Sequence, residues 1–367
     1  CENARKLMGE SLRIELLTGS TPKNEKKRIY ESVLSGGTDL LIGTHAIIQE
    51  GISFRDLGLI IIDEQHRFGV EQRSALREKS ETADLLVMTA TPIPRSLSLT
   101  LYGDLSLTSI RTMPANRLPV KTMFFSGSRL QGVYNSLEKY VSQGRQVYYV
   151  LPLIEDSDKI DLKSAMQVFE HLKNEVFPAR RVELLHGRMK QQERDAVMER
   201  FKNGDIDILV CTTVIEVGID VLNATVIVIE HAERFGLSQL HQLRGRVGRG
   251  NHQSFCVLIS PDDISAESKT RIETIVSTND GFTIAEEDLK QRGAGELIGF
   301  RQHGHGGTFE FADLALDMDL ILYAREVAER LVSGIEDIRI LWEQFRNRKY
   351  SPLLSGIRNK KLLTILS

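Results

Sequence analysis

The sequence has few cysteines and no long apolar runs, the features typical of secreted, zinc-binding and membrane-spanning proteins. Its three cysteines, Cys1, Cys211 and Cys256, are too few and too scattered among 367 residues for a disulfide framework or a zinc site, which favours a reducing cytoplasm. The longest apolar runs, such as 59–62, are far shorter than the roughly 20 residues of a membrane helix, so no membrane partner is expected. Hydrophobic residues make up 41% and charged residues 26%, which excludes a disordered chain.

Two further absences concern the start of the chain and its phosphate chemistry. Residue 1 is Cys rather than Met and no secretory signal is visible, so the sequence is expected to begin inside a longer protein. No Gly-Lys pair occurs anywhere, which excludes a GxxxxGK[ST] phosphate-binding loop within these residues. The formal net charge of −3 neither predicts nor excludes a nucleic-acid partner.

Short apolar runs alternate with amphipathic stretches over most of the length. Runs bounded by Gly, Asp or Asn predict buried parallel strands at 15–17, 40–42, 59–62, 85–88, 147–151, 182–185, 206–210, 226–229 and 255–259. The stretches between them predict helices, among them 24–34, 130–141, 191–201 and 239–247. The pattern predicts an α/β fold in which helices cover both faces of parallel sheets.

One internal repeat divides the chain. The 32-residue segments that begin at Arg13 and Arg181 are identical at 11 positions at a constant offset of 168, including the pair Asp39 and Asp207. Two copies are too few for a solenoid and predict two similar α/β domains in tandem. Chance similarity between strand–helix–strand units is the weaker interpretation, because the match runs without a gap.

Proline and changes of composition place the predicted domain boundaries. Pro114 and Pro119 disfavour helix and predict an extended linker at 114–120. The first domain is therefore predicted at 1–113, the second at 121–278, and a carboxy-terminal helical and irregular region at 279–367. The tail from 338 to 361 has seven basic residues against one acidic residue, and is either a phosphate contact or a solvated surface.

The strand at 59–62 is followed by Asp63, Glu64, Gln65 and His66. In a parallel sheet, ligands gather at the carboxyl ends of strands. Two adjacent carboxylates there suit phosphoryl transfer, since one can hold Mg²⁺ through its waters while the other orients or deprotonates the attacking water. An ordinary acidic turn after a strand is the alternative.

The segment 239–250 reads QLHQLRGRVGRG. On a predicted helix, Gln242, Arg246 and Arg249 lie at i, i+4 and i+7 and present three planar donor groups on one face. Arginine is suited to spreading the charge of a transferring phosphoryl group. A solvated basic helix is the alternative, but it does not explain Gly245 and Gly248, which predict a close approach to the backbone.

Small polar residues follow several other predicted strands. Backbone N–H groups and hydroxyls in such positions can contact phosphates without reading base identity. These residues are Thr18, Gly19 and Ser20; Thr44 and His45; His186, Gly187 and Arg188; and Thr89 and Thr91. Each group alone is a weak turn signal, and Thr89 and Thr91 can equally cap the next helix.

The segments DEQH, TAT, TTVIEVGID and QLRGRVGR occur in this order, and together they resemble the core of the superfamily-two DNA helicases. The resemblance implies two RecA-like domains with ATP in the cleft between them. It implies that Asp63 and Glu64 handle Mg²⁺ and water, and that Arg246 and Arg249 complete the site from the second domain.

The same resemblance assigns roles to further segments. It implies that Gly218 and Asp220 line the cleft, and that Thr89 and Thr91 couple hydrolysis to motion between the domains. The loops after the strands, at 18–20, 44–45 and 186–188, are expected to contact DNA.

Three longer segments, DEQHRFGVEQR, MTATPIPRSL and RGAGELIGFRQHG, narrow the resemblance to the RecG family of branch-migrating helicases. This family implies a motor on double-stranded and branched DNA, such as replication forks and Holliday junctions, with Arg292, Arg301 and Gln302 in its translocation motif. A cytoplasmic monomer is expected. The transcription-repair coupling factor shares much of the pattern, but Gln65 and Arg301 favour the RecG family.

The missing phosphate loop makes one departure from the family pattern. The chain is therefore expected to be the carboxy-terminal piece of such a helicase, one that binds ATP poorly and hydrolyses almost none by itself. A non-catalytic DNA-binding or scaffold module with a helicase-like fold is the alternative. The intact acidic pair and the paired arginines favour the enzyme.

Overall fold

The structure is a computed structural model, and it describes residues 1–48, 51–63, 79, 82–89, 106, 108–112, 117–152, 158–212, 221–292, 323–324, 326–328, 330 and 333. The chain divides into two compact units, residues 1–90 and 91–367. The predicted boundaries at 113, 120 and 278 stay predictions. No helix in the described part of the chain combines the length and the apolar character needed to cross a membrane.

The first unit contains two pairs of parallel strands in its described residues. Strand β1 (Ile14–Leu17) pairs with β2 (Leu40–Gly43), and β3 (Leu59–Ile62) pairs with β4 (Asp84–Val87). Two α-helices belong to the same unit, α1 (Glu2–Met8) and α2 (Lys23–Ser35). Short 3₁₀ turns cover Gly9–Ser11 and His45–Ile47.

Only one side of the strand pair β3–β4 is well covered. Ile60 and Ile62 are buried, whereas Leu59 is 54% and Ile61 is 53% exposed. The prediction that the strand at 59–62 is buried throughout was therefore wrong for half of its side chains. Successive side chains of a strand point to opposite faces, and an apolar run does not reveal whether both faces are covered.

The second unit is built on a six-stranded sheet in which every pairing is parallel. Its strand order is β5-β10-β9-β6-β8-β7. The strands are β5 (Lys121–Ser126), β6 (Gln146–Val150), β7 (Val182–Leu185), β8 (Ile208–Cys211), β9 (Ala224–Glu230) and β10 (Phe255–Ser260). The sequence patterns predicted all of these strands except β5.

Helices cover both faces of this sheet. One face packs against α3 (Leu130–Ser142) and α4 (Asp158–His171), which continues as a π-helical turn over Leu172–Val176. The other packs against α5 (Gln191–Lys202), α6 (Leu237–Arg244), α7 (Ala266–Ser277) and α8 (Gly281–Arg292). Two adjacent residues of β6 belong to different faces. Tyr149 packs on the face covered by α3 and α4, and Tyr148 packs on the face covered by the other four helices. The predicted α/β class with two covered faces is confirmed here.

Matching contacts reproduce the internal repeat in both units. The Arg13 backbone N–H donates to the Asp39 carboxylate at 2.8 Å, and the Arg181 backbone N–H donates to Asp207 at 2.9 Å. The arginine side chains close the same ion pairs at 2.7 and 2.6 Å. We call each of these a carboxylate clasp, because it joins the starts of two neighbouring strands. The same contacts at both copies support a duplicated α/β unit rather than a chance match.

The clasps also set the charge state of their carboxylates. Hydrogen bonds from Arg13 hold the pKa of Asp39 well below its usual range. At Asp207, burial acts to raise the pKa, but hydrogen bonds from Arg181 outweigh it and the pKa is lowered. Both carboxylates are therefore ionised near neutral pH.

Candidate functional site

Asp63 and Thr89 lie at the carboxyl edge of the pair β3–β4. The strands run parallel with Ile62 opposite Val87, and the Met88 N–H continues the ladder by donating to the Ile62 carbonyl at 2.8 Å. Asp63 is exposed directly after this last pair. The structure thus brings a carboxylate and a hydroxyl to one edge of the first unit, as the sequence predicts. Glu64, Gln65, His66 and Thr91 lie outside the described residues.

The loops after β1 and β2 lie side by side because their strands pair in parallel. The Thr44 N–H donates to the Leu17 carbonyl at 3.3 Å, and the Thr18 and Ser20 hydroxyls share a hydrogen bond of 3.0 Å. A Cβ at Gly43 would collide with the Leu17 carbonyl oxygen, so only glycine lets the two loops come this close.

This pair of loops exposes the groups needed for phosphate contacts. Gly19, Ser20 and Thr44 are exposed, and Thr18 is half-buried. Hydroxyls and backbone N–H groups are common phosphate donors in nucleic-acid interfaces. His45 begins the 3₁₀ turn that follows, and its side chain lies outside the described part of the chain.

The corresponding loop of the second unit follows β7 and carries His186, Gly187 and Arg188. The Arg188 backbone N–H donates to Nδ1 of His186 at 3.3 Å. Burial, and then the charge of Arg188, lower the pKa of His186, so its ring is neutral near pH 7. With Nδ1 accepting, Nε2 carries the ring proton and is a second donor beside the exposed Arg188.

The helix predicted at 239–247 was wrong at its carboxyl end. Helix α6 ends at Arg244, and Arg246 and Arg249 lie on the turn that follows, residues 245–250, which we call the arginine turn. Four residues beyond the end of α6, Gly248 has a φ of 80°, in the left-handed region, so the turn itself is not helical there. Of the three donors predicted on one helix face, only Gln242 is on the helix.

The two arginines nevertheless share one side of the sheet. The charges of Arg246 and Arg249 both act on the hydroxyl of Tyr148, where they oppose the rise in pKa that burial causes. Arg249 is half-buried, and its Nε donates to the Gly245 carbonyl at 3.2 Å. Burial lowers the pKa of Arg249, and the charge of Arg117 acts in the same direction. A cationic turn with two guanidinium groups is chemically suited to phosphate.

Close packing within the second unit explains two glycines of the arginine turn. A Cβ at Gly248 would lie 2.8 Å from Cγ2 of Val120, and a Cβ at Gly250 would collide with the carbonyl of Leu222. The sequence predicted a close approach at Gly245 and Gly248. The approach is confirmed at Gly248, where the neighbour belongs to the chain itself, whereas a Cβ at Gly245 would meet only the carbonyls of Gln242 and His241, at 3.3 and 3.6 Å. Val120 and Leu222 precede β5 and β9, so the arginine turn lies at the amino edge of the sheet.

Sequence reasoning missed Arg244. Its guanidinium is buried and donates to the carbonyls of Ile275 and Thr278 at 2.8 Å each, which ties the end of α6 to the end of α7. Burial lowers its pKa. The available signal was its position, since Arg244 precedes the two predicted arginines in LRGRVGR and lies two residues after Gln242.

Several predicted residues fall where the structure gives no description. Arg292 is the last residue of α8, but its side chain lies outside the described atoms. Gly218, Asp220, Arg301 and Gln302 lie outside the described residues, as does the basic tail at 338–361. Their predicted roles stay predictions.

Three families match successive parts of the chain. Residues 1–99 match the DEAD/DEAH box helicases, residues 132–251 match the helicase conserved C-terminal domain, and residues 278–352 match the C-terminal part of domain 3 of the ATP-dependent DNA helicase RecG. The "ATP-dependent DNA helicase RecG" of Thermotoga maritima is 51% identical over 327 residues, which cover 89% of this chain. This chain belongs to the RecG family.

Two further comparisons agree with the RecG family. The RecG helicase of Staphylococcus epidermidis is 42% identical over 97% of this chain, and a solved structure of RecG bound to a three-way DNA junction has 46% identity and a TM-score of 0.67 over 87% of it. The predicted fold class, two tandem RecA-like domains, is confirmed. The chain spans 42% of the Thermotoga protein and 51% of the Staphylococcus protein, so about half the length of these relatives.

Proposed function

We propose that the protein carrying this chain is an ATP-dependent DNA helicase, a hydrolase that remodels branched DNA such as replication forks and Holliday junctions in repair and recombination. The observation that carries the proposal is the 51% identity to a RecG helicase over nearly nine-tenths of the chain. The solved RecG structure is bound to a three-way DNA junction, which supports branched DNA as the substrate. We expect the protein to act as a monomer in the cytoplasm.

The residues present fit ATP with Mg²⁺ as cofactor. The exposed carboxylate of Asp63 at a strand end is a hard oxygen ligand of the kind that Mg²⁺ prefers. The arginine turn offers guanidinium groups that match phosphate oxygens. The chemistry that the bound nucleotide supplies is transfer of its terminal phosphoryl group to water.

Residues of each unit have their own proposed part in this chemistry. Asp63 would hold the metal, and Glu64 would orient the attacking water and accept its proton. Arg246 and Arg249 stabilise the charge that develops on the transferred group. We propose that Thr89, at the edge shared with Asp63, couples hydrolysis to motion between the domains, and that Arg292, at the end of α8, begins the translocation segment with Arg301 and Gln302.

The loops at the carboxyl edges of the strands are the proposed DNA contacts. They carry hydroxyls, backbone N–H groups and the cationic Arg188, and the matching loops occur in both copies of the repeat. Such contacts hold the sugar-phosphate backbone without reading sequence, which suits a motor that moves along any duplex. We expect DNA affinity to fall steeply as the salt concentration rises.

The decisive test uses the full-length protein and its Glu64→Gln variant. We expect Glu64→Gln to abolish DNA-stimulated ATP hydrolysis while nucleotide binding persists, because the amide keeps the shape of the side chain but accepts no proton. Hydrolysis is measured by phosphate release, and nucleotide binding by fluorescence with a labelled ATP analogue. An unchanged turnover number would show that Glu64 is not the water-orienting residue.

A parallel measurement on the isolated chain tests the role of the phosphate loop. The 367-residue chain without a GxxxxGK[ST] loop is expected to release no phosphate above background in the presence of forked DNA. The full-length protein, assayed at the same concentration, is the control. DNA-stimulated hydrolysis by the isolated chain would contradict the expectation and leave the loop without a necessary role.

A further inference from the structure

The segment 117–120 lies along the arginine turn and the residues that follow it. Arg117 donates from Nε to the Gly248 carbonyl at 3.0 Å, across 131 residues of sequence. Gln253 donates from Nε2 to the Pro119 carbonyl at 2.8 Å, and the Val120 side chain contacts Gly248. Three contacts in four residues fix this segment against the turn before β5 begins.

Arg117 is hydrogen-bonded to the residue that directly precedes Arg249. Gly248 has a left-handed φ of 80°, and the residue after it is Arg249. The Gly248 carbonyl belongs to the peptide group that joins these two residues, so a hydrogen bond to it orients the backbone from which Arg249 extends. A second bond, from Arg249 Nε to the Gly245 carbonyl, closes the other side of the turn.

Charge gives Arg117 a second effect on its neighbour. The positive charge of Arg117 acts on the half-buried Arg249 in the same direction as burial and lowers its pKa. Two like charges repel each other, and an anion beside them relieves the repulsion. The pair therefore favours an anionic ligand more than a single arginine would.

We propose that Arg117 is a positioning residue for Arg249, holding the arginine turn in the shape that receives the developing phosphoryl charge. The inference rests on the proposed ATPase function and adds a residue to it. Arg117 acts through the Gly248 carbonyl and needs no contact with the nucleotide. A misdirected Arg249 would still allow the nucleotide to bind but would stabilise the transition state poorly, because this stabilisation depends on placement.

The test measures steady-state ATP hydrolysis by the full-length protein with forked DNA. Arg117→Ala is expected to lower kcat about tenfold while KM changes less than about threefold, since a group that acts only in the transition state affects kcat. Arg117→Lys, which keeps the charge and a donor, is expected to recover most of the rate. Arg145→Ala, which removes another arginine just before a strand of the same sheet, is the matched control and should leave kcat unchanged.

A double-mutant cycle separates positioning from a general structural role. If Arg117 acts through Arg249, adding Arg117→Ala to Arg249→Ala should cause no further loss, because the positioned group is already gone. If the losses in kcat of the two single variants multiply in the double variant, the inference is overturned. An unchanged kcat in Arg117→Ala would overturn it as well. If Arg249→Ala itself hydrolyses ATP at the full rate, the proposed function fails at this turn, which is a different result from failure of Arg117 alone.

Discussion

At the scale of single residues, the arginine turn depends on one glycine for two separate reasons. Gly248 combines a left-handed φ of 80° with a Cβ position only 2.8 Å from the Val120 side chain. A left-handed backbone disfavours any side chain, and a crowded Cβ adds a steric cost. Gly144 has nearly the same φ, 79°, but open space where its Cβ would be. The two glycines therefore form a matched pair.

We expect Gly144→Ala to reduce the free energy of unfolding by about 1–2 kcal/mol, the cost of a left-handed alanine. Gly248→Ala should cost a further 1–3 kcal/mol, roughly, because Val120 must move. The measurement is urea unfolding of the 367-residue chain followed by circular dichroism. Equal losses in the two variants would mean that Val120 yields without cost and that backbone conformation alone explains the glycine.

At the scale of elements, each carboxylate clasp joins the starts of two parallel strands. The clasp of the second unit lies between the residue before β7 and the residue before β8, with Asp207 receiving both backbone and side-chain bonds from Arg181. Because the pKa of Asp207 is lowered on folding, its contribution is present above the pKa of the unfolded chain, near 4. The contribution is lost as the pH falls through the folded value.

Asp207→Asn should therefore lower the free energy of unfolding near pH 6 by about 0.5–1 kcal/mol, a modest value because Arg181 is largely exposed. The difference between the two proteins should shrink as the pH falls below about 4. Urea titrations at several pH values measure it, with the exposed neighbour Asp205→Asn as the control. A difference that persists unchanged at pH 2 would mean that the clasp does not depend on the charge of Asp207.

Most of the strands could be predicted from the sequence, whereas one strand and one helix end could not. Apolar runs located nine of the ten described strands, since they report burial directly. The sequence reasoning missed strand β5, an edge strand in which the polar Lys121, Thr122 and Ser126 leave only three apolar residues. The sequence reasoning placed the end of α6 too late because Arg246 and Arg249 continue the helical period. In the structure α6 ends at Arg244, and the turn that follows packs against Val120, a contact that spans 128 residues of sequence.

The candidate site also combines residues that local sequence predicts with residues that depend on distant contacts. Residue type and position after a strand identified Asp63, Thr89 and the loops, because the carboxyl ends of parallel strands are predictable from the strands themselves. The roles of Arg117 and Arg244 depend on bonds to backbone carbonyls far away in sequence, at Gly248, Ile275 and Thr278. No local pattern encodes such a bond, so the sequence offered only a position beside the predicted arginines for Arg244 and no signal for Arg117.

At the scale of the whole molecule, the two units differ in how fully their sheets are covered. The second unit buries apolar side chains on both faces of six strands, whereas the first leaves Leu59, Ile61 and Leu86 about half exposed. Apolar side chains exposed side by side favour association with another surface. The second unit should therefore be the more independent of the two in folding.

A fragment of residues 117–292 is expected to unfold in one cooperative transition, with a midpoint within a few degrees of that of the same unit in the longer chain. The reason is that all six strands and the helices on both faces lie within it. Differential scanning calorimetry measures the transition, and a fragment of residues 1–90 is the comparison, expected to show none. A broad or absent transition for 117–292 would mean that the rest of the chain is needed for its fold.

The second unit presents its proposed DNA loop and its arginine turn at opposite rims of one sheet. Strands of four to seven residues separate the rims by roughly 13–23 Å, at roughly 3.3 Å per residue. Because hydrogen-bonded strands resist bending, a displacement at one rim of the sheet is transmitted to the other. Under the proposed function, motion at the arginine turn would reach the DNA loop through the body of the sheet.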